Sequence, residues 1–295
     1  PTSSRRQRQM CIRDRGYSRI KSFAKINLAL NVTGKNSRLH KIESIVGFVS
    51  LYDVILIKEI QSKKHIISFN GKYSKNIHKK NTISKLLNIL EKKKLITGHK
   101  FEIKVNKHIP SKSGLGGGSM NAANILKYLI KKKFINPSKG QLSSICKLVG
   151  SDVALGLNST FTILKSNNEI KEFKNCKKFY ALIVKPSFGC STKEIYSSVK
   201  KFSKPRFNKP SKKMFSFDNL KKLNNSLEAI SLSKFPKLKN IKNFLEKSSN
   251  KSFVRMTGSG SAIVAYFKSK KLCDDVKKKF SRKYKNCWCK VAKTI

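Results

Sequence analysis

The clearest pattern along the chain is an alternation of apolar and polar positions that begins near Tyr17. In the segment RIKSFAKINLALNV, every second residue from Ala24 onward is apolar, and such residues share one face of an extended strand. That face consists of Ala24, Ile26, Leu28 and Leu30. The other face carries Lys25 and Asn27, so the pattern predicts a strand with one fully apolar face and two polar side chains opposite it.

The next segments alternate between strand-like and helix-like patterns. Strands are predicted at about 43–58 and 64–70, a helix at about 81–95, and a strand in KFEIKVNKHI, which ends at Pro110. A glycine-rich loop follows, and behind it comes the apolar stripe of a half-buried helix, formed by Ala122, Ala123, Leu126, Leu129 and Ile130. The spacing therefore predicts a helix that begins at the glycine loop, and a second helix at about 138–149.

The second half of the chain predicts an α+β arrangement. Its pattern gives strands near 160–164, 178–186, 252–256 and 262–267, a helix near 193–202, two helices within 218–249, a helix near 269–280 and a last strand in CWCKVAK. This order suggests a split β-α-β sandwich. The expected domains are 17–165 and 166–295, and the polar, proline-bearing stretch 200–213 is expected to be a surface loop.

The first 16 residues differ in composition from the rest of the chain. They contain five arginines and no lysine, although the whole chain has 56 lysines among its 66 basic residues. We therefore expect residues 1–16 to be a non-native or disordered leader, and we exclude them from the fold prediction.

Charge and cysteine content restrict the function only weakly. The chain has 66 basic against 15 acidic residues, a balance that favours phosphate-rich partners, but the lysines are scattered and accompany abundant Asn and Ile, as AT-rich coding would produce. The seven cysteines lack paired CxxC spacing and indicate reduced thiols. Because the sequence has no long apolar run and no secretory signal, we expect a cytoplasmic protein.

The stretch SKSGLGGGSMNAAN, residues 111–124, is the strongest candidate for chemistry. It lacks the Gly-Lys-Ser/Thr ending of a Walker loop and the glycine spacing of a dinucleotide fingerprint. Glycines before a helix still allow backbone N–H groups to approach an anion closely. Physical reasoning leaves two interpretations open, phosphate binding and a structural turn. A second cluster, Gly258 and Gly260 in RMTGSGSAIVAYF, is by itself typical of a tight hairpin turn.

Taken together, four motifs resemble the GHMP kinase superfamily of galactokinases, homoserine kinases, mevalonate kinases and phosphomevalonate kinases. Their spelling is most similar to the 4-diphosphocytidyl-2-C-methyl-D-erythritol kinase family: FAKINLALNVTGKNSRLHKIESI, GLGGGSMNAA, GSDVAL and RMTGSGSAIVAYF occur in the order of that family. The resemblance implies a ribosomal-protein-S5-domain-2-like N-terminal domain and a ferredoxin-like C-terminal domain. It also implies transfer of the γ-phosphoryl group of ATP to the 2-hydroxyl of the cytidyl substrate.

The resemblance also implies roles for individual residues. Asp152 is expected to accept or orient the substrate hydroxyl proton and Lys25 to offset charge beside it, with a helix N-cap and a solvated surface lysine as the respective alternatives. The residues expected to bind ATP are Pro110, Ser111, Lys112, Ser113, Gly114, Leu115, Gly116, Gly117, Gly118, Ser119, Met120, Gly258, Ser259 and Gly260. Those expected on the substrate side are Asn27, His40, Lys107, Thr192 and Tyr196. ATP chemistry implies Mg²⁺, for which Ser119 is a candidate contact.

Three positions depart from the family pattern. Leu39 replaces a tyrosine that could stack on cytosine, which leaves Tyr196 to supply an aromatic surface; Met120 replaces a serine near the phosphates, and Ala154 replaces a proline. Two other functions stay open: a homoserine or mevalonate type of kinase, and a basic RNA-binding protein, which the lack of interleaved aromatic residues disfavours. The expected partners are the cytidyl substrate and ATP, without membrane or nucleic acid, in a monomer or homodimer.

Overall fold

The computed structural model describes residues 16–36, 39–75 and 77–295. Of the leader predicted at 1–16, all but Gly16 lies outside the described residues. Within the described part of the chain, no helix is both long and apolar enough to cross a lipid bilayer. The six cysteines in this part are free thiols.

Ten strands and eight α-helices make up the described part of the chain. The strands are β1 (Ser18–Lys35), β2 (His40–Ile60), β3 (Ile66–Asn70), β4 (Lys100–Asn106), β5 (Phe161–Leu164), β6 (Ile170–Phe173), β7 (Tyr180–Lys185), β8 (Ser252–Met256), β9 (Ile263–Phe267) and β10 (Trp288–Lys293). The α-helices are α1 (Thr82–Lys92), α2 (Gly117–Lys131), α3 (Lys139–Val149), α4 (Thr192–Ser197), α5 (Phe217–Lys221), α6 (Glu228–Lys234), α7 (Pro236–Lys247) and α8 (Lys270–Lys283). Short 3₁₀ helices occur at Ala154–Gly156 and Lys212–Phe215.

The chain forms two compact units, each built from several stretches. The first comprises the described part of residues 1–22 with Tyr52–Ile109 and Gly117–Leu157. The second comprises Phe23–Leu51, Pro110–Gly116 and Asn158–Ile295. The domain boundary expected near residue 165 stays a prediction.

In the first unit, three helices and a small sheet share one apolar core. The second half of β2 pairs antiparallel with β4, and β3 runs parallel to β4. Asn81 caps α1 and Ser138 caps α3, and in both helices the third residue returns a hydrogen bond to the cap, which satisfies N–H groups that have no partner inside the helix. Helix α2 begins at Gly117 as predicted, and its stripe is buried except at Ile130, which is half-buried.

In the second unit, four strands form an antiparallel sheet in the order β10-β7-β9-β8. Helices α7 and α8 share one apolar core with this sheet. This confirms the α+β class expected for the second half of the chain. The first half of β2 pairs with β5, and β5 pairs with β6. The predicted strand is confirmed as β1, but its burial does not alternate, because both of its faces are buried from Ala24 to Val32.

Four local predictions differ from the structure. The helix predicted near 193–202 is α4 and ends at Ser197. Strand β6 was not predicted, since IKEF is too short and too polar to show a period. The region 218–249 contains parts of three helices and not two, because Pro236 starts α7 directly after α6. The expected surface loop 200–213 is anchored at its centre, where the backbone N–H groups of Arg206 and Phe207 donate to the buried carboxylate of Glu43.

Candidate active site

The polar residues Lys25 and Asn27 lie on the inner part of β1 and are both almost completely buried. The Lys25 Nζ donates a hydrogen bond of 2.6 Å to Asn27 Oδ1, and Asn27 Nδ2 donates one of 2.8 Å to the Ser44 hydroxyl. A lysine is rarely buried unless it is paired. The alternative of a solvated surface lysine at position 25 is therefore wrong.

The first part of the glycine loop passes directly over Lys25. The backbone N–H of Lys25 donates a hydrogen bond of 3.1 Å to the Leu115 carbonyl oxygen of the loop. Gly116 has a φ of +69°, and a Cβ added there would lie 2.8 Å from the Lys25 Cγ. A residue with a side chain at position 116 would displace Lys25, so this glycine is required by the close approach of the loop to the lysine stem.

Thr257 connects the second glycine motif, which contains Gly258 and Gly260, to the first one by a hydrogen bond. Its hydroxyl donates to the Gly114 carbonyl oxygen at 3.2 Å and accepts from the Asn27 backbone N–H at 3.0 Å. Gly114 has a φ of +76°, and a Cβ added there would lie 2.0 Å from the Thr257 carbonyl oxygen. Thr257 thus joins β1, the glycine loop and the turn that carries Gly258. No role was predicted for Thr257, although a hydroxyl residue directly before a glycine pair was a usable signal.

Two further residues attach the 257–260 turn to its surroundings. The Thr192 and Ser259 hydroxyls lie 2.9 Å apart and form a hydrogen bond. Asn225 Nδ2 donates to the carbonyl oxygens of Met256 and Gly258, both at 2.8 Å. Thr192, expected near the substrate base, therefore contacts the glycine turn, and its substrate role stays a prediction.

The second part of the glycine loop forms the N-terminus of α2. Gly117 and Gly118 are its first residues, and the Thr82 hydroxyl donates to the Gly118 carbonyl oxygen at 2.9 Å. The first N–H groups of any helix have no partner inside it and favour an anion. Met120 is fully buried, and a Cβ on Gly156 would lie 2.9 Å from its sulfur. The methionine side chain therefore belongs to the core.

Lys107 and Asp53 form a buried pair at the end of β4. Lys107 Nζ donates to Asp53 Oδ2, which also accepts from Asn121 Nδ2 at 3.0 Å, while Oδ1 accepts the N–H groups of His108 and Ile109 at 2.8 Å each. Four donors thus converge on one carboxylate. Asp53 was missed, although a charge within the apolar run SLYDVILI was its signal. The substrate contact expected of Lys107 stays a prediction.

Asp152 lies in the short connection after α3. The residue at the cap of the following 3₁₀ helix is Val153, and its side chain makes no capping hydrogen bond. Asp152 lies one residue before that position, and the alternative of a helix N-cap stays a prediction beside the catalytic one.

His40 lies at the start of β2 beside two aromatic rings. Its ring centroid is 5.2 Å from that of Tyr196 and 6.4 Å from that of Phe202. Burial, with a smaller contribution from the charge of Lys35, lowers the pKa of His40 below its ordinary value, so the imidazole is neutral at neutral pH. The structure thus brings His40 and Tyr196 together, as two of the expected substrate residues, and adds Phe202, which the sequence did not suggest.

The fold and these clusters define a class of protein, the GHMP kinases. The family model described as "GHMP kinases N terminal domain" matches residues 81–164, and "GHMP kinases C terminal" matches residues 198–286. A crystal structure of a 4-(cytidine 5'-diphospho)-2C-methyl-D-erythritol kinase is similar with a TM-score of 0.73, at 22% identity, over 93% of this chain and 99% of that one. A homoserine kinase from Cytophaga hutchinsonii has a TM-score of 0.70 at 16% identity, over 95% of each chain. Both likenesses concern the fold.

Sequence relatives narrow the class. The 4-diphosphocytidyl-2-C-methyl-D-erythritol kinase of Pelagibacter ubique is 56% identical over 94% of this chain and 99% of its own length. The kinase of the same name from Clostridium beijerinckii is 32% identical over 89% of this chain and 96% of its own length. The chain belongs to the 4-diphosphocytidyl-2-C-methyl-D-erythritol kinase family.

Proposed function

We propose that this chain transfers the γ-phosphoryl group of ATP to the 2-hydroxyl of 4-diphosphocytidyl-2-C-methyl-D-erythritol, a step in non-mevalonate isoprenoid precursor synthesis. The observation that carries the proposal is the hydrogen-bonded cluster of Lys25, Asn27, Gly114 and Thr257, in which three of the four family motifs meet. Phosphoryl transfer depends on positioning and charge neutralisation more than on covalent catalysis. A buried lysine beside a glycine loop suits that requirement.

In this proposal, residues 110–120 and 258–260 hold the phosphates of ATP. The start of α2 offers N–H groups and the positive end of its dipole to an anion. Within the described residues, no group of three or more His, Cys, Asp or Glu side chains could hold a metal ion. Mg²⁺ commonly binds through few protein ligands together with substrate phosphates, so we propose that it arrives with ATP and that Ser119 supplies one hydroxyl oxygen.

The proposed catalytic residues are Asp152 and Lys25. The Asp152 carboxylate would orient the substrate hydroxyl or accept its proton as the new O–P bond forms. The Lys25 ammonium would offset negative charge that develops on the transferring group. His40, with Tyr196 and Asn27, would contact the cytidyl part of the substrate. A cytoplasmic location fits this role and stays a prediction.

An ADP-release assay with the cytidyl substrate tests the proposal. ADP release should require that substrate, and homoserine and mevalonate should not replace it. Asp152→Asn should lower kcat by about 10²-fold or more with little change in either KM. The matched control is Asp218→Asn, because the Asp218 side chain is 79% exposed and pairs only at the surface with Lys268. Turnover independent of the cytidyl substrate, or full activity of Asp152→Asn, would show that the proposal is wrong.

A second variant tests the cation. Lys25→Met should lower kcat by about 10²-fold or more, because removal of one group that stabilises transition-state charge has that effect in other enzymes. Lys268→Met, on a side chain that is 56% exposed, is the control and should keep full activity. If Lys25→Met changed only the KM for ATP, the lysine would serve binding and not the transition state.

A further inference from the structure

The loop between α4 and the 3₁₀ helix at Lys212–Phe215 presents an aromatic side chain that the proposed function does not yet use. Phe202 is 49% exposed, which is unusual for a phenylalanine. The other large apolar side chains exposed in the described residues are Leu39, Ile66 and Leu148. Leu39 directly precedes His40 in the sequence, and the Phe202 ring borders His40, so two of these four side chains belong to the surroundings of one histidine.

Phe202 is held in place by its neighbours and not by burial of its own ring. The next residue, Ser203, donates its backbone N–H to the Val32 carbonyl oxygen at 2.8 Å, and its hydroxyl lies 3.2 Å from that of Ser226. A few residues further on, the loop is fixed again where the N–H groups of Arg206 and Phe207 bind Glu43. The backbone anchors therefore hold the exposed ring beside His40, where its face is accessible to a planar ligand.

The side chains around Phe202 match a planar heteroaromatic base. The tilted rings of Tyr196 and Phe202 both border His40, whose lowered pKa keeps the imidazole neutral. A neutral imidazole has one donor and one acceptor nitrogen, which suits the polar edge of a pyrimidine, while the two rings offer apolar faces for stacking. Lys35, close enough to influence His40, adds positive charge suited to a diphosphate next to the base.

We propose that Phe202 is a specificity-determining residue, whose ring stacks on the pyrimidine base of the diphosphate substrate beside His40. The inference rests on the proposed function, because it names the part of that substrate that Phe202 contacts. It concerns binding alone, so Phe202 should affect the KM for the cytidyl substrate and leave the phosphoryl-transfer step unchanged.

The test compares three single variants by steady-state kinetics. Phe202→Leu keeps an apolar side chain and removes the ring; it should raise the KM for the cytidyl substrate by about tenfold, within the range measured for loss of one base-stacking partner, with kcat and the KM for ATP unchanged. Phe202→Tyr keeps the ring and should behave as the wild type. Leu148→Ala is the matched control, since Leu148 is 50% exposed and lies in the other unit.

The possible results separate the two proposals. If the wild-type protein releases ADP with the cytidyl substrate and Phe202→Leu has a wild-type KM for it, the inference is overturned while the proposed function stands. It is also overturned if Phe202→Leu raises the KM for ATP equally or lowers the denaturation midpoint, because the ring would then have a general structural role. If the wild-type protein shows no turnover that depends on the cytidyl substrate, the proposed function fails first.

Discussion

The contact of the glycine loop with the 257–260 turn predicts a specific cost for a methyl group at Gly114. The change Gly114→Ala places a Cβ 2.0 Å from the Thr257 carbonyl oxygen, far inside van der Waals contact. Because that atom is backbone, it cannot rotate away, and the turn must move as a whole. Such a movement weakens the hydrogen bond from the Thr257 hydroxyl to the Gly114 carbonyl oxygen, now 3.2 Å, on which the link to β1 depends.

The magnitude is worked out from two separate terms. A residue with a side chain at a φ of +76° costs roughly 1–2 kcal/mol relative to glycine. Overpacking against an unyielding neighbour adds about 1–3 kcal/mol. Gly98→Ala isolates the first term, because Gly98 has a φ of +82° and a Cβ there would meet nothing within 4 Å. Gly140→Ala should show neither cost, because Gly140 has no positive φ and a Cβ there would meet only the Ser138 hydroxyl, at 3.9 Å.

Equilibrium denaturation of the three variants, combined with the KM for ATP, measures both terms. Gly140→Ala should be as stable as the wild type or slightly more stable, because alanine is favoured over glycine in a helix. Gly98→Ala should lose about 1 kcal/mol at unchanged KM. Gly114→Ala should lose more than Gly98→Ala and raise the KM for ATP. Equal losses for the two variants at an unchanged KM for ATP would refute the packing argument.

Four further predictions concern buried ionisable groups and the surface charge. Asp53→Ala should lower the free energy of unfolding in chemical denaturation by about 3–5 kcal/mol, because it leaves the buried Lys107 without its partner. The control Asp218→Ala, at an exposed position, should change that free energy by less than about 1 kcal/mol. Similar values for both variants would contradict the pairing. Burial raises the pKa of the Cys146 thiol to about 11, so mass spectrometry after alkylation near neutral pH should find Cys289, which is half-buried, modified before Cys146. Because folding raises the pKa of the Cys146 thiol, its contribution to stability is complete below the unfolded pKa of 9.0 and is lost as the pH rises towards 11. Cys146→Ala should therefore reduce the loss of stability measured between about pH 9 and 11. If the net charge of +51 steers anionic substrates, kcat/KM should fall as added salt shortens the Debye length from about 30 to about 8 Å; an unchanged kcat/KM would favour a basic surface without a kinetic role.

The periodic elements could be predicted from the sequence because the local pattern determines them. Strand β1 and the helix after the glycine loop were each predicted from residues a few positions apart, and both elements are confirmed. Strand β6 was missed because no local pattern determines it. It is defined by its pairing with β5, and its own four residues do not show that pairing. The loop 200–213 looked unconstrained because its anchor, Glu43, lies far away in the sequence.

Candidate site residues could be proposed from the sequence where the residue type itself carries the chemistry. Glycines before a helix and a lysine on a strand are unusual choices that require an explanation. Thr257 and Asp53 were missed because their importance comes from partners far along the chain: Thr257 binds Asn27, 230 positions away, and Asp53 binds Lys107, 54 positions away. A threonine or an aspartate read alone is compatible with many surface positions.

The glycines of the loop form two pairs with different surroundings, and the anion cradle at the helix start stays a prediction. Gly114 and Gly116 have positive φ angles and lie against Thr257 and Lys25, so a structural reason accounts for each of them. Gly117 and Gly118 instead open α2, where a Cβ would lie 3.1 Å from the Ile109 side chain or 3.0 Å from the Thr82 hydroxyl. The first pair therefore fixes the loop over the buried lysine, and the second lets the helix start pack closely against Ile109 and Thr82. If the cradle is confined to that start, alanine at position 118 should weaken ATP binding with less loss of stability than alanine at position 114.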